Sequence, residues 1–199
     1  MIPVSELTDE AAMGFLPGDG GGHDLAATLA TLPAMFGTFR DALTALAAWM
    51  AEFGPARDSA DSVGEMARSA ATCADAARAA SDQYRKENEF WLGDGSGGQM
   101  SPAVHGLTEG AGNGFIPDGS YPEGYQLADQ LAAFPELFDL IGDQTGILAD
   151  WMRDNHMSGT PELLVTELAN FVSALSVAAE TASSTYQRQN YFWLSNRGA

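Results

Sequence analysis

The segment Tyr84-Arg-Lys-Glu-Asn-Glu-Phe-Trp-Leu92 recurs 102 positions later as Tyr186-Gln-Arg-Gln-Asn-Tyr-Phe-Trp-Leu194. The match extends outward from it without a gap over residues 33–92 and 135–194, where 19 of 60 positions are identical. Further upstream, Gly14-Phe-Leu-Pro17 corresponds to Gly114-Phe-Ile-Pro117 at an offset of 100. Self-similarity of this extent predicts two copies of one structural unit.

Within each unit, apolar residues recur at alternating spacings of three and four, which is the period of a helix packed along its length. The first copy carries two such stripes: Leu32, Phe36, Phe39, Leu43, Leu46, Met50 and Phe53, then Met66, Ala70, Cys73, Ala77, Ala80 and Tyr84. A break at Gly54-Pro55 separates them, and Gly93 predicts the end of the second helix. The unit is therefore expected to be a pair of antiparallel helices.

Helix starts are indicated by capping residues and prolines. Thr160-Pro161-Glu162 reads as an N-cap, a first-turn proline and a first-turn acid. The first helix of the first copy is expected to begin at Asp24 and to be kinked at Pro33 or to start there. The equivalent Pro135 indicates that the same feature is built into both copies.

One hairpin leaves its apolar seam exposed, so the two copies are expected to cover each other. The predicted fold is all-α: tandem helical hairpins forming a pseudo-twofold antiparallel four-helix bundle. Hairpin repeat 1 spans residues 1–95, a Gly/Ser linker spans 96–101, and hairpin repeat 2 spans 102–199.

The chain carries a formal charge of −18, from 27 acidic and 9 basic residues, and each half contributes −9. Such a surface repels nucleic-acid phosphates and anionic lipids, so neither is expected as a partner. The simplest interpretation of this negative charge is a solvated surface that keeps the bundle soluble. A mimic of DNA would carry the same charge, and that alternative stays open.

The sequence contains no recognisable constellation of catalytic or metal-binding residues. The three histidines, His23, His105 and His156, are not placed alike in the two copies, and no Glu-x-x-His pair of a di-iron bundle occurs. The Gly-rich run at residues 18–24 lacks a P-loop lysine and the spacing of a calcium loop. A single cysteine, Cys73, excludes an internal disulfide. We therefore expect a non-enzyme without cofactor or metal.

Aromatic residues cluster where the two helices of each hairpin begin and end. The Gly-Phe-Leu/Ile-Pro segment precedes the first helix and Phe-Trp-Leu closes the second, so both are expected at one end of the hairpin. The predicted contacts join Phe15 to Phe90 and Trp91, and Phe115 to Phe192 and Trp193. These residues form either an aromatic plug that closes the bundle or a patch that binds a partner protein.

A tyrosine and an asparagine four residues apart share one helix face near the end of each second helix. They are Tyr84 with Asn88, and Tyr186 with Asn190. In the structural interpretation the tyrosine belongs to the seam and the asparagine bonds to a neighbouring helix. In the functional one the pair is a recognition face.

Taken together with Trp49 and Trp151, which precede the predicted hairpin turns, these features resemble the WXG-type helical hairpins of type VII (ESX) secretion. Trp49-Met-Ala and Trp151-Met-Arg stand where that family has Trp-x-Gly, and Asn88 and Asn190 stand where its late Tyr-x-x-x-Asp/Glu signal has the acid. The resemblance implies acidic hairpins that are made without a cleaved signal and pair into four-helix bundles.

The functional expectation is a non-enzymatic protein-interaction module, handled by a type VII-like pathway as substrate or adaptor. An acidic inhibitor or DNA mimic and a structural subunit of a phage-like assembly are the alternatives. Protein partners are expected, self-association stays open, and no membrane span is predicted, because the longest uncharged stretch, residues 25–39, is too short. A cytoplasmic location is expected, with export lacking a cleaved signal as the alternative.

Overall fold

The computed structural model describes residues 3–19, 21–93, 97–118, 123–155, 157 and 159–195, without the side chains of Glu123 and Trp193. Every regular element in these ranges is helical, which confirms the all-α prediction. The elements are α1 (Val4–Ala12), α2 (Gly22–Glu52), a 3₁₀ segment (Gly54–Ser59), α3 (Ala60–Leu92), α4 (Pro102–Gly112), α5 (Glu123–Asp154), α6 (Thr160–Gln189) and α7 (Tyr191–Leu194).

Four long helices form the bundle. Helices α2 and α3 pack as one hairpin, α5 and α6 pack as the other, and α3 lies against α6 along the middle. The Tyr84 hydroxyl lies 3.7 Å from Met157 Sδ at one end of this central pair, and Ser59 contacts Gln189 at the other. Helices α3 and α6 are thus antiparallel, as the predicted bundle requires.

Equivalent hydrogen bonds in the two hairpins show the pseudo-twofold relation. The Tyr84 hydroxyl donates to the Gly22 carbonyl at 3.2 Å, and the Tyr186 hydroxyl donates to the Gly124 carbonyl at 3.1 Å. Each bond ties the end of the second helix to the start of the first. The repeated tyrosines therefore close the two hairpins in the same way.

Two short helices that the sequence analysis did not predict cover the remaining side of the bundle. Helix α1 packs on α5 of the other repeat, α4 packs on α2, and α1 and α4 pack on each other. Each helix buries a small apolar face that recurs at an offset of 100: Val4, Leu7 and Ala11 in α1, and Val104, Leu107 and Ala111 in α4. Because each repeat lends its short helix to the other, the two halves interlock.

The short helices approach closely because α4 carries glycine at two positions four residues apart. A Cβ added at Gly106 would overlap the Glu10 side chain, and one at Gly110 would overlap the buried Leu7 side chain. Glycine at these positions therefore leaves room for the side chains of α1, and a larger residue at Gly110 would require the buried Leu7 side chain to shift.

A matched pair of glycine substitutions tests this close approach. Gly110→Ala is expected to lower the free energy of unfolding by about 1–3 kcal/mol, because the methyl group overpacks a filled core. Gly37→Ala, at a helical position with open space around the added Cβ, should raise it by about 0.5–1 kcal/mol. Urea denaturation measures both, and equal effects would contradict the close packing of α1 on α4.

The two prolines lie inside continuous helices. Helix α2 runs through Pro33 and α5 runs through Pro135, so the alternative that the helices start there is wrong. In α5 the Ser176 hydroxyl of α6 donates to the Pro135 carbonyl at 3.1 Å, an added bond across the hairpin near the interruption.

Most predicted ends lie within two residues of the observed ones, with one difference. Helix α3 ends at Leu92, and Gly93 follows in the left-handed region (φ 57°), as expected. In the second copy, α6 ends earlier, at Gln189, and Asn190 separates it from α7. Pro161 lies in the first turn of α6, whereas the Glu162 carboxylate is buried and accepts a hydrogen bond from Arg153 at 2.6 Å.

Helix α6 is the single helix in the described ranges that is long and apolar enough to cross a membrane by length and composition. Its most apolar window has a mean hydropathy of 1.4 and is 39% buried inside the bundle. A core helix of a soluble protein satisfies the same criteria, so this is weak evidence for a span.

Candidate interaction surface at the two bundle ends

The predicted contact of Phe15 with Phe90 is wrong. Phe15 is fully buried, whereas Phe90 at the end of α3 is fully exposed, at 101% of its reference area. The Phe15 segment follows α1, which packs against α5. Two contacts of the neighbouring Gly14 place this segment beside the linker and α5: its carbonyl accepts a hydrogen bond from the Ser101 hydroxyl, and a Cβ added to it would lie 3.0 Å from the Gln144 side chain. Phe15 is therefore a core residue and not an end plug.

Phe115 likewise lies in the core, against residues of α2 and α5. Its ring centroid is 4.9 Å from that of Phe134 and 6.1 Å from that of Phe39, and it is fully buried. Its predicted partner Phe192 is 84% exposed, so that contact is also wrong. The side chain of Trp193, the other predicted partner, lies outside the described residues.

Tyr84 and Tyr186 are buried, at 1% and 0% exposure, so the structural interpretation holds for both tyrosines. Burial raises the pKa of each to about 12, which keeps the hydroxyl protonated as a donor at neutral pH. A partner cannot touch these side chains unless the end of the hairpin opens.

Asn88 bonds within its own helix and to no neighbouring helix among the described residues, and Asn190 likewise donates back to its own helix. Asn88 donates to the Tyr84 carbonyl at 2.8 Å and accepts from the Trp91 indole N–H at 2.9 Å. Asn190 donates to the Tyr186 carbonyl at 3.0 Å and is buried. These bonds stabilise the end of each second helix, and the bond from the indole to Asn88 also holds the Trp91 side chain in place.

Trp91 folds back over the start of α2. Its ring lies edge-on to His23 at 5.3 Å and to Tyr84 at 6.4 Å. A Cβ at Gly22 would overlap this ring, so glycine at the start of α2 provides its space. Trp91 is nevertheless 43% exposed, and so presents part of its ring to solvent.

Large aromatic residues therefore remain exposed at both ends of the bundle. At one end, which we call the α3 tip, they are Phe90 and Trp91. At the other, which we call the α7 tip, they are Tyr191, 73% exposed, and Phe192. The antiparallel arrangement of α3 and α6 places the two tips at opposite ends of the molecule.

The remaining candidates, Trp49 and Trp151, lie near the hairpin turns and are half-buried against the core. Trp49 stacks on Phe53 with 4.7 Å between ring centroids. Both residues therefore contribute packing where each first helix ends.

The structure groups few chemically active side chains. Within the described ranges, no set of three or more His, Cys, Asp or Glu residues is arranged to hold a metal. His105 lies 3.4 Å from Glu109 on α4, while His156 lies outside the described residues. Burial raises the pKa of the Cys73 thiol to about 12, so at neutral pH it is an unreactive core residue.

The linker is anchored to the first repeat by contacts that the sequence patterns did not predict. The Asp24 carboxylate accepts from the Gln99 amide at 2.8 Å, and the Thr28 hydroxyl accepts from the Ser101 amide at 3.1 Å. The end of the linker is thus fixed along α2. Ser101-Pro102, typical of a helix start, is the sequence signal that points to α4 and to this ordered segment.

Comparison with known protein families, curated proteins and solved structures found no match to this chain.

Proposed function

We propose that the protein is a non-enzymatic protein-interaction module that binds partners through its α3 tip and its α7 tip. The proposal rests on the exposure of two phenylalanines at equivalent positions of the two repeats: Phe90 is fully exposed and Phe192 is 84% exposed. Exposed aromatic residues are the side chains most enriched at the centres of protein interfaces. Both copies carry Phe-Trp-Leu, and the phenylalanine of this segment is exposed in each.

The geometry favours a module with two contact points. A bundle built on helices of this length spans about 45 Å at 1.5 Å per residue, and the tips lie at its opposite ends. One tip therefore faces away from the other, so that two partners, or two sites of one large assembly, can be bound together.

The resemblance to type VII secretion hairpins suggests the setting in which such a module would act, as a substrate or adaptor of that kind of pathway. The fused hairpins supply within one chain the paired bundle that this family forms. In this proposal the buried Tyr84 and Tyr186 position the tips, and the exposed aromatic residues make the contact.

Tip substitutions test the proposal directly. The double variant Phe90→Ser/Phe192→Ser is expected to lose tenfold or more in affinity for proteins captured from the source cells, because truncating an interface aromatic costs about 2 kcal/mol. Pull-down with mass spectrometry identifies the captured proteins, and titration then gives the affinities. Thermal unfolding should change little, since neither side chain supports the core.

Val177→Ser, an exposed apolar residue midway along α6, is the matched control and should leave capture unchanged. Capture that survives the double tip variant but is lost in high salt would overturn the proposal and favour an acidic mimic.

A further inference from the structure

The two hairpins carry equivalent grooves, each between the first helix and the end of the second. Groove 1 lies beside the α3 tip, has a volume of about 500 Å³, and is lined by His23, Ala26, Ala27, Ala30, Arg85, Lys86, Glu89, Leu92 and Gly93. Groove 2 lies beside the α7 tip, has a volume of about 300 Å³, and is lined by Ala128, Asp129, Ala132, Gln187, Tyr191, Leu194 and Ser195. Every residue of groove 2 has its counterpart, 102 positions earlier, in groove 1.

The charges of the two grooves differ. Groove 1 has Arg85 and Ala27 where groove 2 has Gln187 and Asp129, and Lys86 adds a second cation to groove 1. Groove 1 thus places two adjacent cations against one carboxylate, Glu89, in a chain of net charge −18.

These two cations are unpaired within the described part of the chain. Four arginines, Arg40, Arg68, Arg78 and Arg153, form salt bridges with carboxylates. Arg85 and Lys86 make no ion pair or hydrogen bond with any described residue, and both are exposed on the groove rim. The guanidinium and ammonium groups are therefore free to bind an external anion.

The helix dipole accounts for neither cation of groove 1, since neither lies in the last turn of α3. Lys86 has a cationic counterpart in Arg188 of the second copy, which does lie in the last turn of its helix. Arg85 has no such counterpart, because Gln187 takes its place. Position 85 therefore distinguishes the charge of groove 1 from that of groove 2.

We propose that groove 1 binds an acidic peptide segment of a partner protein. The carboxylates of the peptide bind Arg85 and Lys86, and its small apolar side chains pack on Leu92 and on the alanines that line the groove, Ala26, Ala27 and Ala30. The inference rests on the proposed function, because groove 1 adjoins the α3 tip. A guanidinium binds a carboxylate through two parallel hydrogen bonds, and the groove volume lies in the range of sites that hold small ligands. Repulsion from carboxylates more than about 8 Å away is screened at physiological salt, so the local field is set by the charges of the groove itself, Arg85 and Lys86 against Glu89.

The intact protein can be titrated with a fluorescein-labelled peptide of sequence Ala-Glu-Leu-Glu-Ala-Glu, followed by fluorescence anisotropy. We expect saturable binding that weakens tenfold or more in Arg85→Gln/Lys86→Gln and weakens further with added salt. Arg188→Gln, which removes the cation equivalent to Lys86 in the second copy, should leave the affinity unchanged. On binding, the amide resonances of Ala26 and Ala30 should shift, while those of Ala128 and Ala132 should not.

Equal affinity in the wild type and Arg85→Gln/Lys86→Gln, equal shifts in both grooves, or no binding at millimolar peptide would each overturn the inference. Phe90→Ser separates it from the proposed function, since Phe90 does not line the groove and this variant should keep its affinity for the peptide within twofold. If the peptide fails to bind while the tip variants still abolish partner capture, groove 1 is excluded and the proposed function stands.

Discussion

Phe115→Ala is expected to lower the free energy of unfolding by about 3–5 kcal/mol, the range for removing a fully buried aromatic side chain. Phe115 enters the core from the α4–α5 connection and contacts Phe134 of α5 and Phe39 of α2. Phe39 in turn lies 5.5 Å from Phe138. The substitution would leave a cavity where the two repeats meet, and the surrounding helices cannot collapse to fill it.

Guanidinium denaturation measures this loss, and thermal unfolding should show a midpoint lower by about 10 °C, at 2–4 °C per kcal/mol for a chain of this size. Phe192→Ala is the matched control. The sequence pattern predicts that the two residues pack together, but Phe192 is 84% exposed, so its truncation should change stability by about 0.5 kcal/mol or less. Similar losses in the two variants would indicate that the aromatic residues pack at the bundle end after all.

The long helices and their pairing were predictable because each rests on a local or repeated signal. The stripes ending at Phe53 and Tyr84 follow the helical period, and the breaks at Gly54-Pro55 and Gly93 end each helix by backbone preference. The duplication then requires that both units fold alike. Covering one seam with the other follows from the exposed apolar area of a single hairpin.

The crosswise packing of α1 and α4 was not predictable in the same way. Their buried faces are small, three residues in α1 (Val4, Leu7 and Ala11) and five in α4, and such patterns are too short to distinguish from a loop. Nothing local indicates that α1 packs on the other repeat, since that choice depends on space left between α2 and α5. The predicted positions of Phe15 and Phe115 were wrong for the same reason, because each residue follows directly after one of these short helices.

The exposure of Phe90 and Phe192 could have been predicted from the helical period of the sequence. The seam of α3 passes through Tyr84 and reaches Trp91, and Phe90 lies one position off that line, on the outer face. The same register places Phe192 outward in the second copy. The groove pair, by contrast, depends on how far apart α2 and α3 lie at their ends, a distance that the sequence does not specify.

Separating the repeats is expected to remove cooperative folding altogether. Residues 1–95 and 96–199, produced as two chains, should each lose the whole free energy of unfolding, typically about 5–15 kcal/mol for a domain. Alone, the first fragment exposes the α3 face that packs on α6, and its α1 lacks α5 as a partner. The second fragment loses the equivalent contacts of α6 and α4. Mixing them at equal concentration should restore helicity by circular dichroism and a single unfolding transition.

Because each short helix packs on the long helix of the other repeat, the interlocked contacts form only when both repeats are present. A fragment of residues 1–95 that self-associates would agree with this interpretation, since the pseudo-twofold axis lets one hairpin stand in for the other, and its stability would then rise with concentration. A fragment that is monomeric in sedimentation and unfolds cooperatively at micromolar concentration would contradict it. In that case each hairpin would be an independent domain, and the distance between the two tips would be set by the linker and not by the bundle.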